Sequence, residues 1–136
     1  MYKQFIKSAC IVLSIAFLLN SCEDDFFGSK SLEGTWSVNE TSTTFDDQNF
    51  SVGIGYMPGD STKITIDNFS NLGLGVEVSA NLSDLLITIP TQTISDQSSN
   101  QFTISGNGTI SSNYRRINMT YNYDGTNFTA TMQKQF

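Results

Sequence analysis

The most constraining feature of this sequence is an apolar–polar alternation with a period of two residues, repeated from Leu32 to the C-terminus. Such alternation is typical of strands with one buried face, whereas a helix repeats its apolar positions every three or four residues. The apolar positions of the successive segments are Leu32, Gly34, Trp36 and Val38; Phe50, Val52, Ile54 and Tyr56; Ile64 and Ile66; Leu74, Val76, Val78 and Ala80; Leu85, Ile87 and Ile89; Phe102 and Ile104; Ile117, Met119, Tyr121 and Tyr123; and Phe128, Ala130 and Met132.

These eight one-sided segments are joined by short polar connections, and none has a helical period. Strands that follow one another closely in sequence pair most simply with their neighbours. The pattern therefore predicts an all-β fold, an eight-stranded antiparallel up-and-down barrel, which leaves no exposed sheet edge. A two-sheet β-sandwich is the alternative, because alternation alone does not distinguish the two.

Turn-forming residues predict how the strands pair. Asp124-Gly125 suits a two-residue type I′ hairpin because both residue types tolerate positive φ, and Asn81-Leu82 is the predicted loop of a second hairpin. Gly106-Asn107-Gly108 predicts a bulge or corner. The resulting opposite pairs are Tyr121–Phe128, Met119–Ala130 and Ile117–Met132 for the first hairpin, and Val78–Leu85 and Val76–Ile87 for the second.

The N-terminus has the pattern of a secretory signal. Lys3 and Lys7 precede an apolar run over 9–19 that is too short to span a bilayer stably. The sequence therefore predicts that residues 1–21 are a signal peptide. A membrane anchor helix is the less favoured alternative.

Leu19-Asn20-Ser21-Cys22 resembles the lipobox of bacterial lipoproteins. The resemblance implies that the Cys22 sulfur is acylated and that the chain hangs from the membrane by this lipid. Glu23-Asp24-Asp25 resembles the acidic export tag of Bacteroidetes-type surface lipoproteins, which implies an outer-membrane, cell-surface location; a solvated spacer is the alternative. Residues 22–31 are then an acidic tether and residues 32–136 a single domain.

Gly34 and Trp36 are similar to the G-x-W start of lipocalins and their calycin relatives. In that family the tryptophan closes the narrow end of the barrel beneath a cation from the last strand. The Asp124-Gly125 register places Arg115 opposite Lys134, so both cations are expected near Trp36, in a structural role. The stretch 68–136 also resembles small lipocalin-like Bacteroidetes lipoproteins of unknown function.

The composition excludes several kinds of chemistry. The chain has no histidine, Cys10 would leave with the signal peptide and Cys22 would carry the lipid, so histidine triads and His/Cys zinc sites are excluded. No inward strand position is expected to carry an acid, and no catalysis, metal or cofactor is predicted. Loss of Lys3 and Lys7 with the signal changes the net charge from −6 to −8, which argues against a nucleic-acid partner.

The end of the barrel opposite Trp36 is predicted to carry the longer loops, 43–49, 68–73 and 90–100. Loops on a rigid scaffold commonly carry binding residues. Asp60-Ser61-Thr62 resembles the short O-glycosylation pattern of these envelopes, with Ser61 as acceptor. The candidate binding residues of the loops are Phe45, Asp46, Asp47, Phe69, Asn71, Gln92 and Asp96.

Together these features predict a surface lipoprotein that binds a small apolar molecule or a glycan through its barrel mouth and outward loops. An apolar ligand would need an interior cavity of about 300 Å³ or more. The alternative is an interaction protein, either an inhibitor of a cationic host protein such as lysozyme or a subunit of an envelope complex. The predicted lining of the cavity is Val52, Ile66, Val76, Ile87, Met119 and Phe128.

Overall fold

The structure, a computed structural model, describes residues 30–136. The predicted signal peptide (1–21), the predicted lipid site at Cys22 and most of the tether (22–31) lie outside the described residues. Among residues 30–136 no helix is long and apolar enough to cross a bilayer.

Eight antiparallel strands and one short 3₁₀ turn make up the fold. Each strand pairs with the next, and β8 pairs back with β1, which closes the sheet into a barrel. The predicted up-and-down barrel is therefore confirmed and the sandwich alternative is excluded. The strands are β1 (Gly34–Ser42), β2 (Gln48–Met57), β3 (Asp60–Asp67), β4 (Glu77–Ser83), β5 (Leu86–Ser95), β6 (Gln101–Ile110), β7 (Arg116–Tyr123) and β8 (Thr126–Lys134), with the 3₁₀ turn at Phe69–Asn71 between β3 and β4.

The up-and-down topology gives the barrel two distinct ends. The Trp36 end carries the start of β1, the end of β8 and the turns 58–59, 84–85 and 111–115. The loop end carries the connections 43–47, 68–76, 96–100 and 124–125. The predicted loop 90–100 is thus shorter than expected, because β5 continues to Ser95.

The β7–β8 hairpin has the predicted register. Tyr121 lies opposite Phe128 and Met119 opposite Ala130. Asp124 and Gly125 have φ angles of 50° and 89°, as a turn of this kind requires.

The predicted β4–β5 hairpin is wrong. The turn is Asp84-Leu85, so Leu82 lies opposite Ile87, and Asn81-Leu82 remains within β4. Asp84 adopts a φ of 53°, a conformation that Asp tolerates better than Leu. Both registers place apolar residues opposite one another, because the pleat repeats every two residues. Apolar pairing therefore could not distinguish them.

The bulge predicted at Gly106-Asn107-Gly108 lies instead on the partner strand. Between Ile89 and Gln92 the β5–β6 register shifts by one residue, and the extra residue belongs to β5. Gly106 and Gly108 remain regularly paired with Ile89 and Ile87. A bulge reverses which residues of its strand point inward. Consistently, Ile89 and Ile94 are both buried although they are five residues apart, a spacing that would place them on opposite faces of a regular strand.

The barrel interior is one apolar cluster that runs from Leu32 and Trp36 at one end to Phe69 and Phe128 at the other. The side chains predicted to line a cavity are all members of this cluster, and each is nearly fully buried. They pack against one another as core residues.

Candidate functional site

A concave groove lies on the outer wall of the barrel, across β5, β6, β7 and β8. It is shallow and open to solvent, and it consists of two adjoining depressions of about 500 Å³ and about 350 Å³. The two depressions share four residues: Thr88, Asn107, Thr120 and Thr129. The groove is thus on the side of the barrel, away from the mouth where the sequence predicted binding.

The four shared residues form one continuous row across the sheet. Thr88 pairs with Asn107, Asn107 with Thr120, and Thr120 with Thr129. All four side chains point outward and are exposed. Within the described chain their side chains make no hydrogen bond, so their hydroxyl and amide groups are directed at solvent and are available to a ligand.

Polar pairs flank this row on both sides. Asn122 Nδ2 donates to Asn127 Oδ1 at 3.0 Å, and Thr131 Oγ1 donates to Asn118 Oδ1 at 3.4 Å. No residue that lines either depression is charged. The groove therefore offers neutral donors and acceptors in a fixed β-sheet spacing.

Close backbone packing shapes the groove from beneath. A Cβ atom added at Gly106 would lie 2.7 Å from the Thr120 carbonyl oxygen, and one at Gly108 would lie 2.8 Å from Cγ of Met119. Only glycine permits this approach of β6 to β7. Glycines and bulges are the usual means of curving a sheet, and the bulge of β5 lies beside these glycines.

Gln92, a predicted binding residue, holds the bulge in place. Its side-chain amide donates to the Ser79 carbonyl at 2.7 Å and accepts from the Ser79 N–H at 3.1 Å. These two bonds take the place of backbone hydrogen bonds between β4 and β5 at a point beyond the paired residues of the two strands. Gln92 is therefore occupied structurally.

Glu40 is an acid that the sequence analysis missed. It lies inward on β1 and is only 3% exposed, which contradicts the expectation that no inward strand position carries an acid. Its carboxyl accepts hydrogen bonds from the hydroxyl of Tyr121 and from that of Ser70, the latter at 3.1 Å. The signal was present, because Glu40 shares the even parity of Trp36 and Val38.

Burial dominates the electrostatics of this cluster. It raises the pKa of the Glu40 carboxyl, although the hydrogen bonds from Tyr121 and Ser70 act in the opposite direction. Burial, followed by the hydrogen bond to Glu40, also raises the pKa of the Tyr121 phenol. The buried carboxyl thus joins β1, β7 and the 3₁₀ turn at the loop end.

The two candidate aromatic residues of the loops fold towards the barrel mouth. Phe69 is buried, with its ring centroid 4.7 Å from that of Tyr121. Phe45 stacks on Phe128 at 5.9 Å and remains 52% exposed. Phe69 is therefore a core residue, and Phe45 covers the mouth.

The polar candidates of the loop end have mixed roles. Asp46 and Asp47 are exposed. Asp96 accepts from the backbone N–H groups of Ser98 and Asn100 at 2.8 and 2.9 Å, and the side chain of Asn100 also donates to it. The bond from Asn100 is the main cause that lowers the pKa of Asp96. Asn71 is exposed at the end of the 3₁₀ turn, with a φ of 58°.

At the Trp36 end, the indole N–H of buried Trp36 donates to the Leu32 carbonyl at 2.9 Å. Lys134 Nζ lies 6.0 Å from the Trp36 ring centroid and donates to the Ser31 carbonyl at 2.6 Å. Gly34 has a φ of 131°, which only glycine adopts readily. The structure thus brings Gly34, Trp36 and Lys134 together.

Arg115 lies opposite Lys134, as predicted. Its carbonyl accepts from the Lys134 N–H at 3.0 Å. Its guanidinium carbon is 4.9 Å from the ring centroid of Phe136, a contact that the sequence analysis did not predict. Ser61 is exposed near the start of β3, also at the Trp36 end.

No protein-family model matches the chain, and no curated protein matches it. Its fold is similar to those of three solved structures. A redesigned β-barrel has a TM-score of 0.56 at 18% identity, covering 77% of this chain and 92% of that one. The protein EF1p2_mFAP2b bound to DFHBI has a TM-score of 0.54 at 17% identity, covering 76% and 94%. A de novo designed fluorescence-activating β-barrel has a TM-score of 0.52 at 18% identity, covering 76% and 93%.

At these identities the likeness concerns the fold alone. It defines the chain as a closed, eight-stranded, antiparallel up-and-down β-barrel protein.

Proposed function

We propose that this protein is a lipid-anchored surface protein whose barrel is a non-catalytic, glycan-binding module. The observation that carries the proposal is the neutral outer groove with its row of Thr88, Asn107, Thr120 and Thr129. Hydroxyl and amide groups at β-sheet spacing match the many hydroxyls of a sugar, which both donate and accept. The absence of charge in the lining favours an uncharged glycan.

A small apolar ligand is less well supported. The side chains expected to line an interior cavity pack into the core. A ligand inside the barrel would have to displace these close-packed side chains, and the lost packing would destabilise the barrel. One of the similar structures has DFHBI bound, so the architecture can carry a small molecule. In the present chain, the concave sites that support binding lie outside the barrel.

Glu40 does not make this site an enzyme. Its carboxyl is buried and already accepts hydrogen bonds from Tyr121 and Ser70. A glycosidase needs two carboxyl groups that reach the sugar. The groove lining contains none.

The proposed location rests on the N-terminal sequence. The lipobox-like segment and the acidic residues after Cys22 support acylation and export to the outer-membrane surface of a Bacteroidetes-type cell. Replacement of Cys22 by Ser should abolish labelling by a radioactive fatty acid and release the protein from the membrane fraction. Labelling that persists in the variant would contradict the anchor.

A glycan array probed with the soluble chain 22–136 carrying Cys22→Ser tests the groove. We expect binding to neutral oligosaccharides, and about a tenfold loss when Thr120→Val removes a hydroxyl that bonds the sugar. Thr65→Val is the matched control, because Thr65 points outward on β3, on the opposite wall. Equal binding by both variants, or no neutral glycan bound, would exclude the groove as the site.

A protein partner is the second candidate function, and the loop end favours it. Asp46, Asp47 and Glu77 are exposed there, and a cationic partner would be attracted to such a face. Neutralising Asp46 and Asp47 to Asn should then weaken capture of lysozyme, with a steep dependence on salt. Unchanged capture would eliminate this candidate.

A further inference from the structure

The charged residues of the barrel are separated between its two ends. Of the described basic residues, Lys30, Arg115, Arg116 and Lys134 lie at the Trp36 end. The fifth, Lys63, reaches back to Asp60 at that same end, at 3.5 Å. The loop end has no Lys or Arg within residues 30–136. The acids of the loop end are Glu40, Asp46, Asp47, Asp67, Glu77, Asp96 and Asp124.

This separation makes the barrel an electrical dipole along its axis. Within residues 30–136 the Trp36 end carries five basic residues against Glu33, Asp60 and Asp84, a formal charge of +2; three further acids, Glu23, Asp24 and Asp25, precede this end in the tether. The loop end carries seven acids and no described base. In front of a negatively charged surface, such a molecule orients with its positive end towards that surface.

The Trp36 end also exposes apolar side chains. Phe136 is 86% exposed and lies under the Arg115 guanidinium. Leu86, where β5 begins, is 54% exposed. Phe and Leu side chains presented together with Lys or Arg are typical of segments that bind at the headgroup boundary of a bilayer.

The same end receives the N-terminal segment. Lys30 is exposed, and the carbonyl of the next residue, Ser31, accepts from Lys134. The eight Cα–Cα steps from Cys22 to Lys30 reach at most about 29 Å when extended. A lipid at Cys22 would therefore hold the Trp36 end near the bilayer.

From these observations we infer that the Trp36 end docks on an anionic lipid surface, with Lys30 and Arg116 contacting phosphate headgroups and Phe136 entering the headgroup region. This deepens the proposed anchoring, on which it rests for its biological setting. Docking would hold the barrel upright, with the loop end away from the membrane and the groove on its side.

Vesicle flotation with the chain 22–136 carrying Cys22→Ser tests the docking independently of acylation. The vesicles are pure phosphatidylcholine or phosphatidylcholine with 30 mol% phosphatidylglycerol, roughly the charge density of an anionic leaflet. We expect binding to the anionic vesicles only, weakening as salt increases. A failure of the lipid anchor at Cys22 would leave this result unchanged.

Two variants with the same change in net charge locate the surface. Lys30→Gln with Arg116→Gln removes two positive charges from the Trp36 end and should weaken vesicle binding by about 25-fold, since each charge near the surface contributes about fivefold. Thr43→Glu with Thr44→Glu adds two negative charges at the exposed 43–47 connection of the loop end and should change binding by less than about twofold.

Three outcomes would overturn the inference. The first is no binding to anionic vesicles at low salt. The second is an equal loss in the two double variants, which would indicate an effect of net charge alone. The third is release of the protein when phosphate replaces chloride at equal ionic strength, which would indicate a discrete phosphate pocket in place of a lipid surface.

Discussion

The two ends of the barrel are closed by different kinds of structure. At the Trp36 end the closing indole stands on strand β1, with its N–H bonded to Leu32 and Lys134 beside it. At the loop end the closing ring is Phe69, which stands on a short turn between β3 and β4 and packs on Tyr121, whose hydroxyl bonds buried Glu40.

The two closing side chains are therefore held in position by different interactions. Trp36 belongs to strand β1, so its inward direction is set by the same alternation that builds the sheet. The turn that bears Phe69 has positive φ at Asn68, Ser70 and Asn71, conformations that cost energy in non-glycine residues. It depends on long-range bonds such as that from Ser70 to Glu40. We therefore expect the Trp36 end to dominate global stability and the loop end to confer pH sensitivity.

The largest effect is expected from Trp36→Ala. Loss of a fully buried indole should lower the free energy of unfolding by about 3–5 kcal/mol, measured by urea denaturation. Phe45→Ala, at the half-exposed aromatic residue of the loop end, should cost about 1 kcal/mol or less. Equal losses would contradict the ranking of the two ends.

Tyr121→Phe tests the loop end. The substitution removes the hydroxyl that bonds Glu40 and leaves the buried carboxyl with one donor fewer, at an expected cost of about 1–3 kcal/mol. Tyr123→Phe is the control, since the Tyr123 hydroxyl makes no hydrogen bond within the described chain. A loss no larger than that of the control would show that the Glu40 cluster does not hold the loop end together.

Glu40→Gln should change how the free energy of unfolding depends on pH. Burial raises the folded-state pKa of Glu40 above its ordinary value of 4.5, so its contribution to stability is fully present below that value and is lost as pH rises through the folded pKa. Gln does not titrate. The stability of Glu40→Gln relative to wild type should therefore increase from pH 4 to neutral pH, as measured by urea unfolding at each pH.

The opposite slope in that series would mean that the ionised carboxylate is the form the folded barrel prefers. A constant difference would place the pKa of Glu40 at its unfolded value. Asp96→Asn is a useful comparison, because hydrogen bonding lowers the pKa of Asp96. Its contribution is present at neutral pH and is lost as pH falls.

The strands themselves could be predicted from sequence because a buried face imposes a period of two on every strand. Register could be predicted only where turn chemistry was decisive. Asp124-Gly125 fixed one hairpin, whereas the β4–β5 register was wrong because shifts that preserve parity keep the apolar faces together. The sequence did carry a signal for the bulge of β5, because the apolar residues of this strand change from odd positions at Ile89 to even positions at Ile94.

The sites were harder to predict than the fold. Glu40 was missed although its parity was visible, because a buried acid is rare enough to be assumed outward. The polar row from Thr88 to Thr129 could be recognised only once the pairing of four strands was known, and the close approach of β6 to β7 at Gly106 is likewise a property of the paired sheet. The apolar–polar alternation of a single strand predicts neither the depth of a groove across several strands nor the partner of a buried hydroxyl.

The smallest effect is expected at Lys134. Lys134→Met keeps the aliphatic stem against Trp36 but removes the ammonium, which makes a cation–π contact worth about 0.5–2 kcal/mol and also donates to the Ser31 carbonyl. Because Trp36 is the only tryptophan, its fluorescence should change in the folded state. Lys63→Met, which removes only an exposed ion pair with Asp60, should change neither stability nor emission appreciably. If the two lysine variants behave alike, the packing of Trp36 alone closes its end, and the cation matters only for the charge of that surface.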